Sequence, residues 1–260
     1  MDSLWVAKSG LEAQQTRMAV VSQNLANVNT TGYKKSRAIF EDLLYQNVVQ
    51  AGGLTSEQSE SPTGLNLGTG VRVVATDRQF NQGNLINSNN PLDLAVQGRG
   101  FFEILLPDGT LSYTRDGTFQ LDPDGQIVTS SGYTLQPAIT VPPGAQSVTI
   151  GVDGTVSVLL PGSPDPLQIG TFQVTDFLNP AGLQARGQNL FLETVASGPP
   201  QPGTPGLNGL GTLVQGALET SNVNVVEELV NMIETQRAYE MNSKAIERTD
   251  EMLRYVTNNL

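Results

Sequence analysis

The chain of 260 residues contains no cysteine and no histidine. Without cysteine there is neither a disulfide nor a thiolate nucleophile. Without histidine the usual Ser-His triads and the common zinc and copper sites are excluded. No apolar run approaches the roughly 20 residues that a membrane-spanning helix needs. The sequence therefore predicts no metal site, no cofactor and no membrane insertion.

Basic residues are scarce in the middle of the chain. Residues 101–224 hold ten acidic residues and only two basic ones, Arg115 and Arg186, and they contribute most of the net charge of −11. Such an acidic surface repels polyanions, so nucleic acid is not expected as a partner.

The acidic residues form no recognisable catalytic or metal-binding motif. A carboxylate pair for glycoside cleavage is formally available, but no spacing selects one. Residues 122–125 (DPDG) resemble the start of a calcium loop without its further ligands, so a turn is the better interpretation. We predict no catalytic residues and no enzyme, with a glycoside hydrolase as the weaker alternative.

Apolar residues recur every seven positions at both ends of the chain, in the spacing typical of a coiled-coil seam. This pattern predicts long helices over residues 3–28 and about 224–258. Such narrow stripes are not stable alone in water, so the helices need partners. Those partners are other copies of the chain or, in an ordinary monomer, each other and the middle segment. The predicted seam residues are Leu4, Leu11, Met18, Val21, Leu25 and Val28 near the N-terminus, and Val225, Leu229, Met232, Tyr239, Ile246 and Leu253 near the C-terminus.

The sequence pattern in the middle of the chain is typical of β-structure. Asp-Gly pairs stand at 108–109, 116–117, 124–125 and 153–154. Because Asp-Gly favours hairpin turns with positive φ at both central residues, the pattern predicts an antiparallel meander in a small barrel or sandwich. Residues 36–49 fit either a short helix or an extended segment, residues 51–70 a loop or long hairpin, and residues 197–211 a linker or surface loop. The fold class is therefore α+β, with terminal helices paired in a coiled-coil-like bundle around an inserted β-rich domain.

Several sequence blocks resemble the bacterial flagellar rod and hook axial proteins over essentially the whole chain. The N-terminal block is residues 22–34 (SQNLANVNTTGYK). The blocks of the middle and the C-terminus are 90–93 (NPLD), 98–102 (GRGFF), 113–117 (YTRDG), 129–133 (TSSGY), 219–224 (ETSNVN), 227–233 (EELVNMI) and 236–240 (QRAYE).

Within that family the chain is most similar to the distal-rod members, in its length and in residues 40–46 followed by a Ser/Glu-rich segment through Gly64. The resemblance implies a structural subunit that self-assembles into a straight tube and transmits torque, with a hook or proximal rod subunit as the alternative. It divides the chain into an N-terminal axial helix (1–33), a connecting segment with the rod-type insertion (34–70), a β-rich outer domain (71–220) and a C-terminal axial helix (221–260).

The same resemblance implies where the chain works and with what. The expected partners are further copies, proximal rod proteins, the hook or its base, the peptidoglycan and outer-membrane rings, the type III export apparatus and the rod cap. The expected location is the periplasm-spanning rod of the basal body. Export without a cleaved signal agrees with the N-terminus, which lacks a basic region followed by an apolar run.

Overall fold

The computed structural model describes residues 2–52, 54–56, 59–60, 63–162 and 165–258. These residues fall into two compact units. The first unit draws on residues 1–26, 36–77 and 224–260, and the second on residues 27–35 and 78–223. The chain therefore passes from one unit to the other four times. Two long helices and a β-rich middle make the fold α+β.

The helices of the first unit are α1 (Asp2–Ala26) and α2 (Val225–Asn258), and they contact each other. Asn224 caps α2, since its Oδ1 accepts the N–H groups of Val226 at 3.0 Å and of Glu227 at 3.4 Å. The helix α1 ends two residues before its predicted end. In the described part of the chain, neither helix is long and apolar enough to cross a membrane.

The described residues between 36 and 78 form mainly extended structure, which decides the ambiguity over residues 36–49. The strands are β1 (Ser36–Asp42), β2 (Tyr45–Val49), β3 (Leu54–Ser56), β4 (Ser59–Glu60), β5 (Leu65–Gly68) and β6 (Val71–Arg78). The strand β1 pairs with β6, β2 with β5 and β3 with β4, so the described strands between residues 45 and 68 form a long hairpin. Asn24 joins α1 to the start of β1. Its side chain donates to the carbonyl oxygen of Ser36 and accepts the N–H of Ser36, both at 2.9 Å.

The second unit is built from short antiparallel strands. They are β7 (Leu85–Asn87), β8 (Leu94–Gln97), β9 (Phe102–Leu105), β10 (Leu111–Thr114), β11 (Phe119–Leu121), β12 (Ile127–Thr129), β13 (Thr134–Gln136), β14 (Ser147–Ile150), β15 (Thr155–Leu159), β16 (Leu167–Thr171), β17 (Val174–Asp176), β18 (Gln184–Gly187), β19 (Leu190–Leu192), β20 (Gln201–Gly203), β21 (Thr212–Gln215) and β22 (Ala217–Glu219), with a 3-10 turn at Pro180–Gly182.

The largest sheet has the order β11-β12-β13-β9-β10-β19-β18. The expected meander is therefore interrupted, because β10 and β11 are neighbours in sequence but pair with different strands. A second sheet has the order β14-β15-β16. Residues 197–211 are an ordered segment, in which β20 pairs with β17.

Two apolar clusters hold the second unit together. The larger one joins both sheets through fully buried side chains that include Phe102, Ile104, Val156 and Phe172. The smaller one is aromatic and contains Phe101, Tyr113, Phe177 and Phe191, with edge-to-face contacts such as Tyr113–Phe177 at 4.7 Å between ring centroids.

The Asp-Gly pairs make turns, but not of the predicted kind. Positive φ occurs at Gly109, Gly125 and Gly154, whereas none of the aspartates has it. Three of the pairs continue into threonine, and in each the Asp Oδ1 accepts both the N–H and the hydroxyl of the threonine two residues later, at 108/110, 116/118 and 153/155. The aspartate thus stabilises the turn with its side chain and needs no positive φ.

The segment at Asp116-Gly117 is not a hairpin turn at all, since it connects β10 and β11, which do not pair with each other. A Cβ at Gly117 would lie only 1.6 Å from the carbonyl oxygen of Leu94. Glycine is needed here for close backbone approach.

We predict that Thr155→Val raises the pKa of Asp153. The hydroxyl of Thr155 and then its N–H hold the pKa of Asp153 below the ordinary value of 3.8, and the valine removes the hydroxyl. Because a lowered folded-state pKa stabilises the fold above the unfolded pKa, this contribution is present above about pH 4 and is lost as the pH falls through the folded value. NMR titration of the Asp153 carboxyl measures the change. Thr155→Ser, which keeps the hydroxyl, should retain the low pKa, and equal values in both variants would contradict the assignment.

Candidate assembly surfaces and a buried charge cluster

Small and polar side chains line the contact between α1 and α2. Arg17 donates to Oδ1 of Asn231 at 3.4 Å, and a Cβ on Gly10 would lie 3.0 Å from Nδ2 of Asn242. Thr235 stands four residues after Asn231 and seven before Asn242, so it lies on the same face, and it is fully buried. The face of α2 turned toward α1 is therefore mainly polar.

Large apolar side chains of α2 remain uncovered in the single chain. Val226 is 70% exposed, and the other exposed apolar residues along this helix include Val225, Leu229, Val230, Ile233, Tyr239, Met241 and Met252. A helix of about 50 Å with this surface has an apolar side that its own chain leaves in water.

The structure places the predicted seam residues in three environments. Val21 is buried. Leu4, Leu11, Met18, Leu25, Met232 and Ile246 are half-buried, and so is Val28, which lies in the turn after α1. Val225, Leu229 and Tyr239 are exposed. The side chain of Leu253 lies outside the described residues. With one chain present, the role of these residues in a polymer stays a prediction.

A second exposed apolar surface lies on β2 and β5, a pair that we call the ribbon (residues 45–49 and 65–68). Every residue of both strands is exposed, and Val49 pairs with Leu65 across the ribbon. The other apolar residues on it are Tyr45, Val48 and Leu67. Because a two-stranded ribbon is marginally stable in water, these side chains are suited to contact another protein surface.

The second unit contains a buried charge cluster that the sequence did not reveal. Lys34 Nζ lies 2.6 Å from Oε1 of Glu219, and both side chains are 0% exposed. Arg115 Nη1 lies 3.4 Å from Oε2 of the same carboxylate. The N–H of Gly83 donates to Oε1 of Glu219 at 2.8 Å. One carboxylate thus pairs with two cations.

The remaining hydrogen bonds of the two cations go to backbone carbonyls. Lys34 donates to Asn81 at 2.8 Å, and Arg115 donates to Val96 at 3.3 Å and Gly98 at 2.7 Å. Burial lowers the pKa of Lys34 below its ordinary value, an effect that Glu219 opposes and Arg115 reinforces. Burial also lowers the pKa of Arg115. Deeply buried charges of this kind persist only where partners satisfy them.

The cluster joins sequence blocks that lie far apart in the chain. Lys34 ends the first block and Glu219 begins the block at 219–224, while Gly98 and Arg115 come from two of the four blocks between them. The one available signal was the type of residue. Arg115 is one of only two bases in a long acidic segment, whereas nothing in the neighbouring residues distinguishes Lys34 from the adjacent Lys35.

Three family models match separate parts of the chain. The model of the flagella basal body rod protein matches residues 4–34, that of the flagellar hook protein FlgE/F/G D1 domain matches residues 95–158, and that of the flagellar basal body rod FlgEFG protein C-terminal region matches residues 214–260. Two of the matched ranges contain members of the charge cluster, Lys34 and Glu219, and the third contains Arg115.

Characterised relatives match along nearly the full length. The flagellar basal-body rod protein FlgG of Buchnera aphidicola subsp. Schizaphis graminum is 55% identical over 96% of this chain and 96% of its own. The protein of the same name from Borreliella burgdorferi is 48% identical over 100% of this chain and 98% of its own. The flagellar basal-body rod protein FlgF of Caulobacter vibrioides is 34% identical over 100% and 98%.

We predict that Glu219→Gln destabilises the second unit by about 3–5 kcal/mol, because it leaves Lys34 and Arg115 buried without an anion. Urea unfolding followed by near-UV circular dichroism measures the loss. Glu193→Gln removes an exposed carboxylate of the same unit and serves as the control. Equal unfolding midpoints for the two variants would show that the cluster contributes little.

Proposed function

This chain belongs to the family of flagellar basal-body rod and hook proteins, and from that membership we propose that it is a subunit of the distal rod. In this role copies of the chain assemble into a straight helical tube that transmits torque from the motor to the hook. The observation that supports the proposal most is the identity of 48–55% with FlgG relatives from Buchnera and Borreliella, over nearly the whole chain. A hook or proximal rod subunit is the alternative, and the lower identity to FlgF agrees with ranking it second.

The uncovered apolar side of α2 supports assembly through the helices. In the single chain α2 meets α1 through a mainly polar face, while Val226, Val230 and Ile233 stay in water. Further copies would cover these residues, and burial of each such side chain is worth about 1.5–3 kcal/mol. We propose that the predicted seam pairs helices of neighbouring copies in a coiled-coil-like bundle that lines the tube, with the β-rich domain outside it.

The ribbon supports a contribution to stiffness. Its first strand begins within residues 40–46, and its two strands flank the Ser/Glu-rich segment through Gly64; the chain resembles distal-rod proteins in these two stretches. Its apolar residues include Tyr45, Val49 and Leu65, and all three are exposed. If a neighbouring copy covers them, the ribbon forms a second contact at some distance along the chain from the helical seam. Two separate contacts between the same copies resist bending better than one.

The proposed location and partners follow from family membership. The chain would lie in the basal-body rod that spans the periplasm, after export by the flagellar type III apparatus. Its partners there would be the proximal rod, the hook or its base, the rod cap and the rings in the peptidoglycan and outer membrane. The role is mechanical, in agreement with a family of structural proteins.

We predict that Leu11→Asp or Ile246→Asp blocks tube formation. An uncompensated carboxylate in a buried seam costs several kcal/mol, so the protein concentration needed for assembly should rise by about a hundredfold or more. Electron microscopy of the concentrated protein shows the tubes, and circular dichroism checks that the β-structure is retained. Gln15→Asp and Ala245→Asp place the same charge at exposed positions of α1 and α2 and should assemble normally. Tubes from Leu11→Asp and Ile246→Asp would refute the seam.

We predict that the double variant Val49→Ser, Leu65→Ser still forms tubes but makes them more flexible, because it removes an apolar cross-strand pair from the ribbon. Curvature measured on electron micrographs gives the persistence length. The matched control is Asn47→Ser, Asn66→Ser, which alters the neighbouring polar pair of the same ribbon. If the serine pair at 49 and 65 leaves the tubes as straight as the control does, the ribbon does not stiffen them. Curved tubes from the unmodified protein would favour a hook subunit.

A further inference from the structure

We propose that residues 27–35 form a strap that docks into the second unit through Lys34 and opens without unfolding the rest of that unit. The strap connects α1 with β1, although both of those elements belong to the first unit. The strap is therefore a short connecting segment that side-chain and backbone contacts hold in the second unit. This inference does not depend on the proposed function.

The contacts of the strap lie at its middle and its C-terminal end. The N–H of Gly32 donates to the carbonyl of Glu219 at 2.8 Å, and the N–H of Lys35 donates to Oδ1 of Asn222 at 2.7 Å. The N–H of Gln79 donates to the carbonyl of Lys35 at 2.9 Å. The carbonyl of Tyr33 also accepts the N–H of Asn222 at 3.4 Å, and none of these four bonds belongs to a sheet ladder.

Thr31 adds two contacts with the β-structure. Its hydroxyl donates to Oδ1 of Asp116 at 3.0 Å, and its carbonyl accepts from Nδ2 of Asn189 at 2.9 Å. Next to it, Gly32 has a φ of +67°, and a Cβ there would lie 2.6 Å from the backbone nitrogen of Asp116. The strap thus lies directly against the backbone after β10, where a side chain would not fit.

The charge cluster makes the docked strap easier to release than an ordinary buried ion pair. Glu219 is one carboxylate between two cations, and Arg115 repels Lys34. When the strap leaves, Glu219 keeps Arg115 and the N–H of Gly83, so no anion is left unpaired. The contacts of Arg115 with Val96, Gly98 and the ring of Phe101 do not involve the strap. Glu219 is therefore the member that both cations share, and Arg115 keeps it as a partner when Lys34 leaves.

Asp176 is a further carboxylate near Arg115, but it does not replace Glu219 as the partner of the two cations. It attracts Arg115, but it is itself paired with Arg99 at 2.9 Å. Lys34 consequently has Glu219 as its partner carboxylate, while Arg115 pairs with the other oxygen of the same carboxylate.

Hydrogen exchange on the full-length chain tests the strap. In Lys34→Met the amides of Gly32, Lys35 and Asn222 should exchange about a hundredfold faster than in the unmodified chain, since a buried charge pair is lost. The amides of β9 and β10 should keep their protection within about threefold, because their ladder does not involve the strap. Arg186→Met, which removes an exposed positive charge of the second unit outside the strap, should leave both sets of amides unchanged.

The variant Arg115→Met tests whether Lys34 holds the strap specifically or whether any loss from the charge cluster releases it. This variant removes the cation that repels Lys34. The protection of the Gly32 and Lys35 amides, measured relative to the amides of β9 and β10, should therefore be at least as high as in the unmodified chain. The strap is refuted if Lys34→Met fails to fold, exposes β9 and β10 together with the strap, or leaves Gly32 protected. It is also refuted if Arg115→Met releases the strap as strongly as Lys34→Met does.

Discussion

The carboxylate of Glu219 is the group on which the buried charges of the second unit depend, because it pairs with both Lys34 and Arg115. The chain crosses between its two units four times, and the Lys34–Glu219 pair joins residues that lie just before the second and the last of these crossings. Charges with no exposure to solvent tolerate little displacement, since each loses several kcal/mol of hydration that only close partners restore.

The two units solve different physical problems. The second unit buries its apolar residues in two clusters and pairs its charges internally. The first unit leaves much of its apolar surface uncovered on α2 and on the ribbon. The core of the second unit is thus covered by its own chain, whereas part of the apolar surface of the first unit is not. This division agrees with the proposed assembly, in which further copies would cover that surface and its burial would supply the assembly energy.

The polar contact between α1 and α2 belongs to the same division of roles. Asn231, Thr235 and Asn242 face α1, so the helix pair within one subunit does not use the strongest apolar positions of α2. If α2 buried Leu229 and Tyr239 against α1, less apolar surface of α2 would remain exposed for contact with another protein. Hydrogen bonds between polar side chains also fix the register of the two helices more specifically than apolar contacts do.

Sequence periodicity alone determined the two helices, their approximate ends and the β-rich middle, because helical and strand patterns are local properties. The resemblance in scattered blocks also identified the family. Periodicity did not determine which face of α2 meets α1, since the heptad line at Val225 and Leu229 is as regular as the polar line that makes the contact. The Asp-Gly pairs predicted turns at 108–109, 124–125 and 153–154, but not that positive φ is confined to the glycine of each pair. At 116–117 they predicted a hairpin turn that the strand pairing does not contain.

Only the tertiary structure brought Lys34, Arg115 and Glu219 together. These residues are separated by 81 and 104 positions in the sequence, and no local pattern relates a lysine after a turn to a glutamate at the end of a strand. Their pairing depends on four passages of the chain between units and on strand order, which are set by the packing of the whole unit. The physical reason is that the burial of a charge depends on the complete fold, whereas the apolar stripe of a helix follows from the spacing of residues along the sequence.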